Sequence, residues 1–251
     1  MVLETGDSVS INDDGHFPMQ SVYKLPIGMT VLQQVDAGKI KLDQKLEVKK
    51  TDFVRKEQHS PVRDRNPNGA ELSVKELLRF AVSESDGTAS DVLLDLVGGP
   101  KAVTKCLNDL GITDMMVANS EKEIGQDWET QYRNWASPDG AIALLRALHE
   151  RRGDLSQSSQ TLLLKLMRET PTGPKRIKGL LPEGTLVAHK TGTSGTEKNI
   201  IAATNDIGIV VLPNGRHLAI AIFVCDSPED EKSREAVIAK LARAAWDEWS
   251  K

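Results

Sequence analysis

Apolar positions in this chain change rhythm about two-thirds of the way along. Val22, Tyr23, Leu25, Ile27, Met29, Val31 and Leu32 make the stretch 21–37 apolar nearly all round, which predicts a buried helix stopped by Gly38. Ser73-Val74-Lys75-Glu76 has the form of a capping box opening the next helix. Helical periodicity continues over 91–97, 101–110, 138–152 and 159–168, with Gly111 and Gly153 as stops. The stretch 40–70 is irregular and polar, with a turn at Asn66-Pro67-Asn68-Gly69. A second polar stretch, 112–137, is long for a structureless loop, and such loops are uncommon unless functional.

In the last third the pattern becomes strand-like over 185–193, 200–212 and 218–226. Pro213-Asn214-Gly215-Arg216 is a tight connection, and a closing helix covers 228–249. At the other end, Val2-Leu3-Glu4-Thr5-Gly6-Asp7 reads as a strand end and its turn. Ser8-Val9-Ser10-Ile11 alternates toward a turn at Asn12-Asp13-Asp14-Gly15, so the first fifteen residues predict a short hairpin. Strand, many helices, three strands and a helix predict an α+β fold. An antiparallel sheet from both chain ends is flanked by helices, with an all-helical subdomain inserted. The predicted division is 1–16 with 177–251 for the α/β part and 17–176 for the helical part. No internal repeat is present.

Composition narrows the function. The 251 residues are 39% hydrophobic and 27% charged, with a formal net charge of −4, which argues against nucleic acid as a main partner. No apolar run reaches the 18 or so residues of a membrane helix, so no membrane insertion is expected. Cys106 and Cys225 form no C-x-x-C; buried thiols and a disulfide both stay open. His16, His59, His149, His189 and His217 show neither H-x-H nor H-E-x-x-H spacing, so neither a catalytic zinc site nor any cofactor is called for. No signal-peptide pattern opens the chain, implying either a cytosolic protein or a leader outside this sequence.

Three short motifs carry the chemistry. Ser21-Val22-Tyr23-Lys24 is the chain's one S-x-x-K; three-residue spacing on a helix puts both side chains on one face. A buried lysine must be paired or neutralised, and a neutral amine beside a hydroxyl activates a nucleophile. A helix start at Ser21 would also favour developing negative charge. Lys190-Thr191-Gly192-Thr193 sits on the first late strand, where a cation and a hydroxyl can hold a carboxylate and the glycine permits close substrate approach. Ser85-Asp86-Gly87 lies between two helices, a place for a functional hydroxyl. They follow one another at roughly sixty and one hundred residues, an order that no motif alone would supply.

In this order the motifs resemble those of class A serine β-lactamases. The likeness runs along the chain through Phe17-Pro18-Met19-Gln20, Leu96-Val97-Gly98-Gly99-Pro100 and Thr172-Gly173-Pro174-Lys175-Arg176. Gln131-Tyr132-Arg133-Asn134-Trp135 and Ala202-Ala203-Thr204-Asn205-Asp206-Ile207-Gly208 resemble the PER-type extended-spectrum branch. The resemblance implies a β-lactamase/transpeptidase-like fold, no metal or organic cofactor, and a monomer working in the bacterial periplasm or outside the cell. It implies Ser21 as nucleophile, Lys24 as its activator, Ser85 as proton relay and Lys190 as a catalytic cation. Glu121 falls where the hydrolytic glutamate stands, with Glu123 and Glu129 as rival placements. Whether Lys24 or Glu121 takes the first proton is open. Thr191, Gly192, Arg176 and His59 are implied around the substrate, and Thr193 as an oxyanion donor beside Ser21. Turnover of penicillins or cephalosporins, conferring resistance, is the implied activity. The alternatives are a D-alanyl-D-alanine peptidase that traps β-lactams and a non-hydrolytic sensor.

The chain departs from the family at Gly87 and Gly125, where asparagines are usual, and begins after the family's first helix and full first strand. Gly87 predicts weaker substrate positioning and raised KM, with restored asparagine as the test. Gly125 predicts a less well-held deacylating water, and the short start suggests N-terminal truncation.

Overall fold

The computed structural model describes residues 1–251. After β1 (Phe17–Pro18), one 3-10 turn over Gln20–Tyr23 leads into α1 (Lys24–Asp36), buried from Lys24 to Leu32 as its all-round apolar pattern predicts. β2 (Lys45–Val48) pairs with β3 (Ala70–Ser73) around α2 (Pro61–Arg65). The predicted box opens α3 (Val74–Leu78): Ser73 Oγ accepts from the Glu76 N–H while the Glu76 carboxylate accepts from the Ser73 N–H. A π-helical segment, Arg79–Ser83, leads to α4 (Gly87–Val97) and α5 (Pro100–Asp109). α4 starts four residues before the sequence expectation because Asp86 is its N-cap, accepting from the Ala89 N–H at 2.7 Å.

The polar stretch 112–137 is not structureless. It holds β4 (Met115–Met116), α6 (Glu121–Ile124), a 3-10 turn at Glu129–Arg133 and β5 (Trp135–Ala136), with β5 lying between β1 and β4. α7 (Pro138–Glu150) and α8 (Gln157–Arg168) complete the helices on this side.

The sheet comprises β6 (Val187–Thr193), β7 (Thr196–Glu197), β8 (Ile200–Val211) and β9 (His217–Ser227), followed by α9 (Glu231–Trp249). β8 is central: β6 pairs along one side, from Val187↔Val210 to Thr193↔Thr204, and β9 along the other. Period-two alternation separates two cores. Ile207 and Ile209 join the helices in the larger core, while Val210 and Leu212 face the opposite way against Ile238 and Ala242 of α9.

The expected N-terminal hairpin does not form. That end meets the sheet through an isolated bridge, Val2↔Leu218, reinforced by the Leu3 N–H donating to His217 O and the Met1 ammonium to Ala219 O. Val9 and Ile11 have no partner strand to cover them and stay exposed. A single residue of β8 holds both ends of the helical excursion. Asn205 Nδ2 donates to Pro18 O and Met19 O at 2.8 and 3.2 Å, and Asn205 O accepts from Arg176 Nη1 at 2.9 Å.

Candidate active site

Ser21 lies in the 3-10 turn before α1, directly after Gln20, whose φ of 47° is unusual for a residue with a side chain. One turn on, Lys24 is 1% exposed and its Nζ donates to Ser21 Oγ at 3.0 Å and to Ser85 O at 2.8 Å. The charge meets Glu121 Oε2 at 3.1 Å, the partner a buried lysine requires.

Ser85 also has positive φ, 59°, the kind of strain that persists where surrounding structure enforces it. Asp86 enforces it here: fully buried, it accepts from the Val62 N–H, the Ala89 N–H and Ser60 Oγ. Burial raises the Asp86 carboxyl, and these donors work against that rise. Ser85 Oγ accepts from Lys190 Nζ at 2.9 Å, and the same ammonium donates to Thr191 O at 3.0 Å. Desolvation holds the Lys190 amine well below its usual range, with the nearby Lys24 charge acting in the same direction.

The rest of the third motif is fixed by neighbours. Thr191 Oγ1 pairs with Thr172 Oγ1 at 2.7 Å. The room Gly192 leaves is filled by protein rather than kept for a ligand. A Cβ there would collide with Met19 O, so the glycine lets β6 lie against the turn that bears Ser21. Arg176 Nη2 donates to Thr193 Oγ1 at 2.7 Å, Nη1 to Gly192 O, and Nε to Glu235. Arg176 is therefore a buried brace of β6 that also lines the cleft. His59 lines the opposite wall, its Nε2 against Glu84 O at 2.9 Å and its carbonyl accepting from the Gly87 N–H.

Of the three candidate glutamates, the fold brings Glu121 to Lys24. Glu123 is occupied in the Ser120 capping box of α6, and Glu129 starts a separate 3-10 turn. Glu121 Oε2 also accepts from Tyr23 OH at 3.0 Å, and its N–H donates to Asp91 Oδ1 at 2.6 Å. Asp91 takes the Lys122 N–H as well, and burial pushes its carboxyl up to about 7. Gly87 faces this glutamate: a Cβ there would stand 2.7 Å from Glu121 Cγ. Besides lacking the amide, Gly87 leaves room that the Glu121 side chain occupies. At Gly125, a Cβ would meet the Gln58 amide, whose Nε2 donates to Glu121 O.

Sequence reasoning missed Tyr23, Asp91, Thr172 and Asn205. Tyr23 was detectable, since a tyrosine inside a wholly buried helix needs a partner for its hydroxyl. The others depend on contacts 19 to 187 residues apart, which no local pattern encodes. Ser21, Lys24, Ser85, Glu121, Thr191 and Thr193 line a cleft of about 960 Å³ open between the helices and β6, with Lys190 fully buried behind them.

Residues 1–249 match the β-lactamase enzyme family. The chain is 43% identical to β-lactamase VEB-1 of Pseudomonas aeruginosa over 96% of its length and 81% of that protein. It is 44% identical to the extended-spectrum β-lactamase PER-1 of the same organism, over 94% of this chain and 76% of that one. A β-lactamase structure from Chitinophaga pinensis superposes with a TM-score of 0.96 at 45% identity, covering 99% of this chain and 91% of that one.

Proposed function

Because the chain belongs to the β-lactamase enzyme family, we propose that it opens β-lactam rings by forming, and then hydrolysing, an ester on Ser21. It is a class A serine hydrolase of extended-spectrum type, and β-lactam hydrolysis conferring resistance is its activity. The observation that carries the residue roles is the unbroken contact from Ser21 Oγ through Lys24 Nζ to Glu121 Oε2.

Ser21 Oγ attacks the lactam carbonyl as its proton passes to the Lys24–Glu121 pair. The carbonyl oxygen, gaining charge, is held by the backbone N–H groups of Ser21 and Thr193. Ser85 hands its proton to the departing ring nitrogen, and Lys190, 2.9 Å from that hydroxyl, makes good the loss. Glu121 then takes a proton from water as it attacks the ester and passes it to the departing Ser21 Oγ, while the proton the pair gained on acylation restores Lys190, so every group ends as it began. Lys190 and Thr191 face the substrate carboxylate, Arg176 acts through its hold on Thr193 and Gly192, and His59 forms the outer wall. Gln58 supports the water where Gly125 has no side chain. Every group on this route belongs to the chain itself.

Replacing Glu121 by Gln tests the assignment. Mass spectrometry with a chromogenic cephalosporin should show a lasting adduct on Ser21 in Glu121→Gln and turnover without accumulation in the wild type. Deacylation falling by roughly 10²–10⁴ is the scale for loss of a general base. Unchanged turnover would remove Glu121 from the mechanism. A persistent adduct on the unaltered protein would favour the peptidase or sensor, a reading the β-lactamase relatives do not support.

No helix is long and apolar enough to cross a membrane. We assign the enzyme as a monomer acting in the periplasm or outside the cell, with the cleft between a helical unit, 17–176, and an α/β unit, 1–16 with 177–251.

A further inference from the structure

Three groups from distant parts of the sequence converge far from the cleft. Glu4 follows the Val2 bridge, His149 lies in the last turn of α7, and His217 opens β9. One ligand atom from each lies within 4.8 Å of the other two. Glu4 Oε1 is 2.6 Å from His217 Nδ1 and 3.9 Å from His149 Nε2, and the two imidazole centroids lie 4.5 Å apart with their planes tilted by 49°. None of the three lines the catalytic cleft.

We propose that Glu4, His149 and His217 form a surface binding site for a divalent transition-metal ion of the zinc class. Two imidazole nitrogens and one carboxylate oxygen suit zinc, copper or nickel better than calcium or magnesium, which favour all-oxygen sites. Metal–ligand bonds of 2.0–2.2 Å place tetrahedral donors about 3.4 Å apart. The spacings of 2.6 and 3.9 Å straddle that value. With Glu4, His149 and His217 side chains 36%, 27% and 33% exposed, the shifts of up to about 1 Å that this geometry asks for are open to all three.

The carboxylate is already oriented. The His217 backbone N–H donates to Glu4 Oε1 and Oε2 at 3.1 and 2.9 Å, the outer support that ligating carboxylates commonly have. A simple Glu4–His217 pair would account for two of the groups. It leaves the third unexplained: the His149 ring makes no hydrogen bond within the protein, yet points a nitrogen at the same oxygen. Three protein ligands leave a fourth position for water. The ion would tie the N-terminal segment to α7 and β9, where the backbone alone provides one bridge.

Zinc chloride titrated calorimetrically into chelator-treated protein tests this. Saturable one-to-one binding is the expected result, weakened at least about tenfold in His149→Ala, His217→Ala and the size-conserving Glu4→Gln. His16→Ala should bind zinc as the wild type does. Zinc should raise the unfolding temperature of wild type but not of His217→Ala, since only the native chain assembles the three ligands. Cobalt substituted for zinc should give the absorption bands of a four- or five-coordinate site. All variants should keep cephalosporin turnover, which verifies their folding. No saturable binding, or wild-type affinity in the three ligand variants, would overturn the proposal.

Discussion

A methyl group at position 87 would stand 2.7 Å from Glu121 Cγ and 3.3 Å from its Cδ, closer than carbon atoms tolerate. Gly87→Ala should therefore displace Glu121 from Lys24. A misplacement of about 1 Å can cost on the order of 10²-fold, so the ester on Ser21 should accumulate, visible as a burst in rapid kinetics. Gly87→Asn should fare no better; if asparagine instead speeds turnover, Glu121 moves aside freely. Asp91 acts on the same glutamate through its backbone. Its carboxyl sits at about 7 against an ordinary 3.8, so between those values the native protein keeps a proton the unfolded chain has lost. Stability from this group is full below the unfolded value and is lost as pH rises through 7. Wild type should gain up to about 4 kcal/mol relative to Asp91→Asn between pH 8 and pH 4. Urea titrations of both proteins measure it, and a difference that does not change with pH would refute it.

Among the elements, the meeting of β6 with the turn before α1 depends on Gly192. In Gly192→Ala the new carbon would be driven into Met19 O. Overpacking of this kind costs about 1–3 kcal/mol, a fall of roughly 2–10 °C in Tm for a chain of this size. Activity should fall further than stability, because the strain acts on the turn carrying Ser21; calorimetry and turnover on one sample compare the two. The long elements were legible in the sequence because their packing is periodic: α1, α7, α8, β8 and β9 keep their predicted places within a few residues. Ser21, Lys24, Ser85 and Lys190 were legible as ordered motifs, and the fold brings them within hydrogen-bond reach of one another. The hairpin at Ser8–Ile11 failed because two alternating apolar residues say nothing about whether a partner strand exists. The start of α4 lies four residues before the expected one because Asp86, part of a catalytic motif, is at the same time its N-cap. Glu4, His149 and His217 escaped notice because their grouping is a property of tertiary folding, not of spacing.

For the molecule as a whole, Asn205 is the joint between the helical side and the sheet. Asn205→Ala strips the side-chain donor from the buried Pro18 O and one of two donors from Met19 O, which keeps the Val22 N–H. The orphaned Pro18 carbonyl costs about 1–3 kcal/mol, so denaturant midpoints should fall clearly; an unchanged midpoint would mean other contacts carry the joint. The same arrangement has a consequence during synthesis. Asn205 follows Ser21 by 184 residues, and at roughly 5–20 residues per second a ribosome takes about 10–40 s to cover that distance. Throughout that interval the nascent serine has neither the strand that bears Lys190 nor the amide that grips its turn. The nucleophile is made early and armed last, so a stalled chain ending before residue 187 carries Ser21 without the means to acylate it.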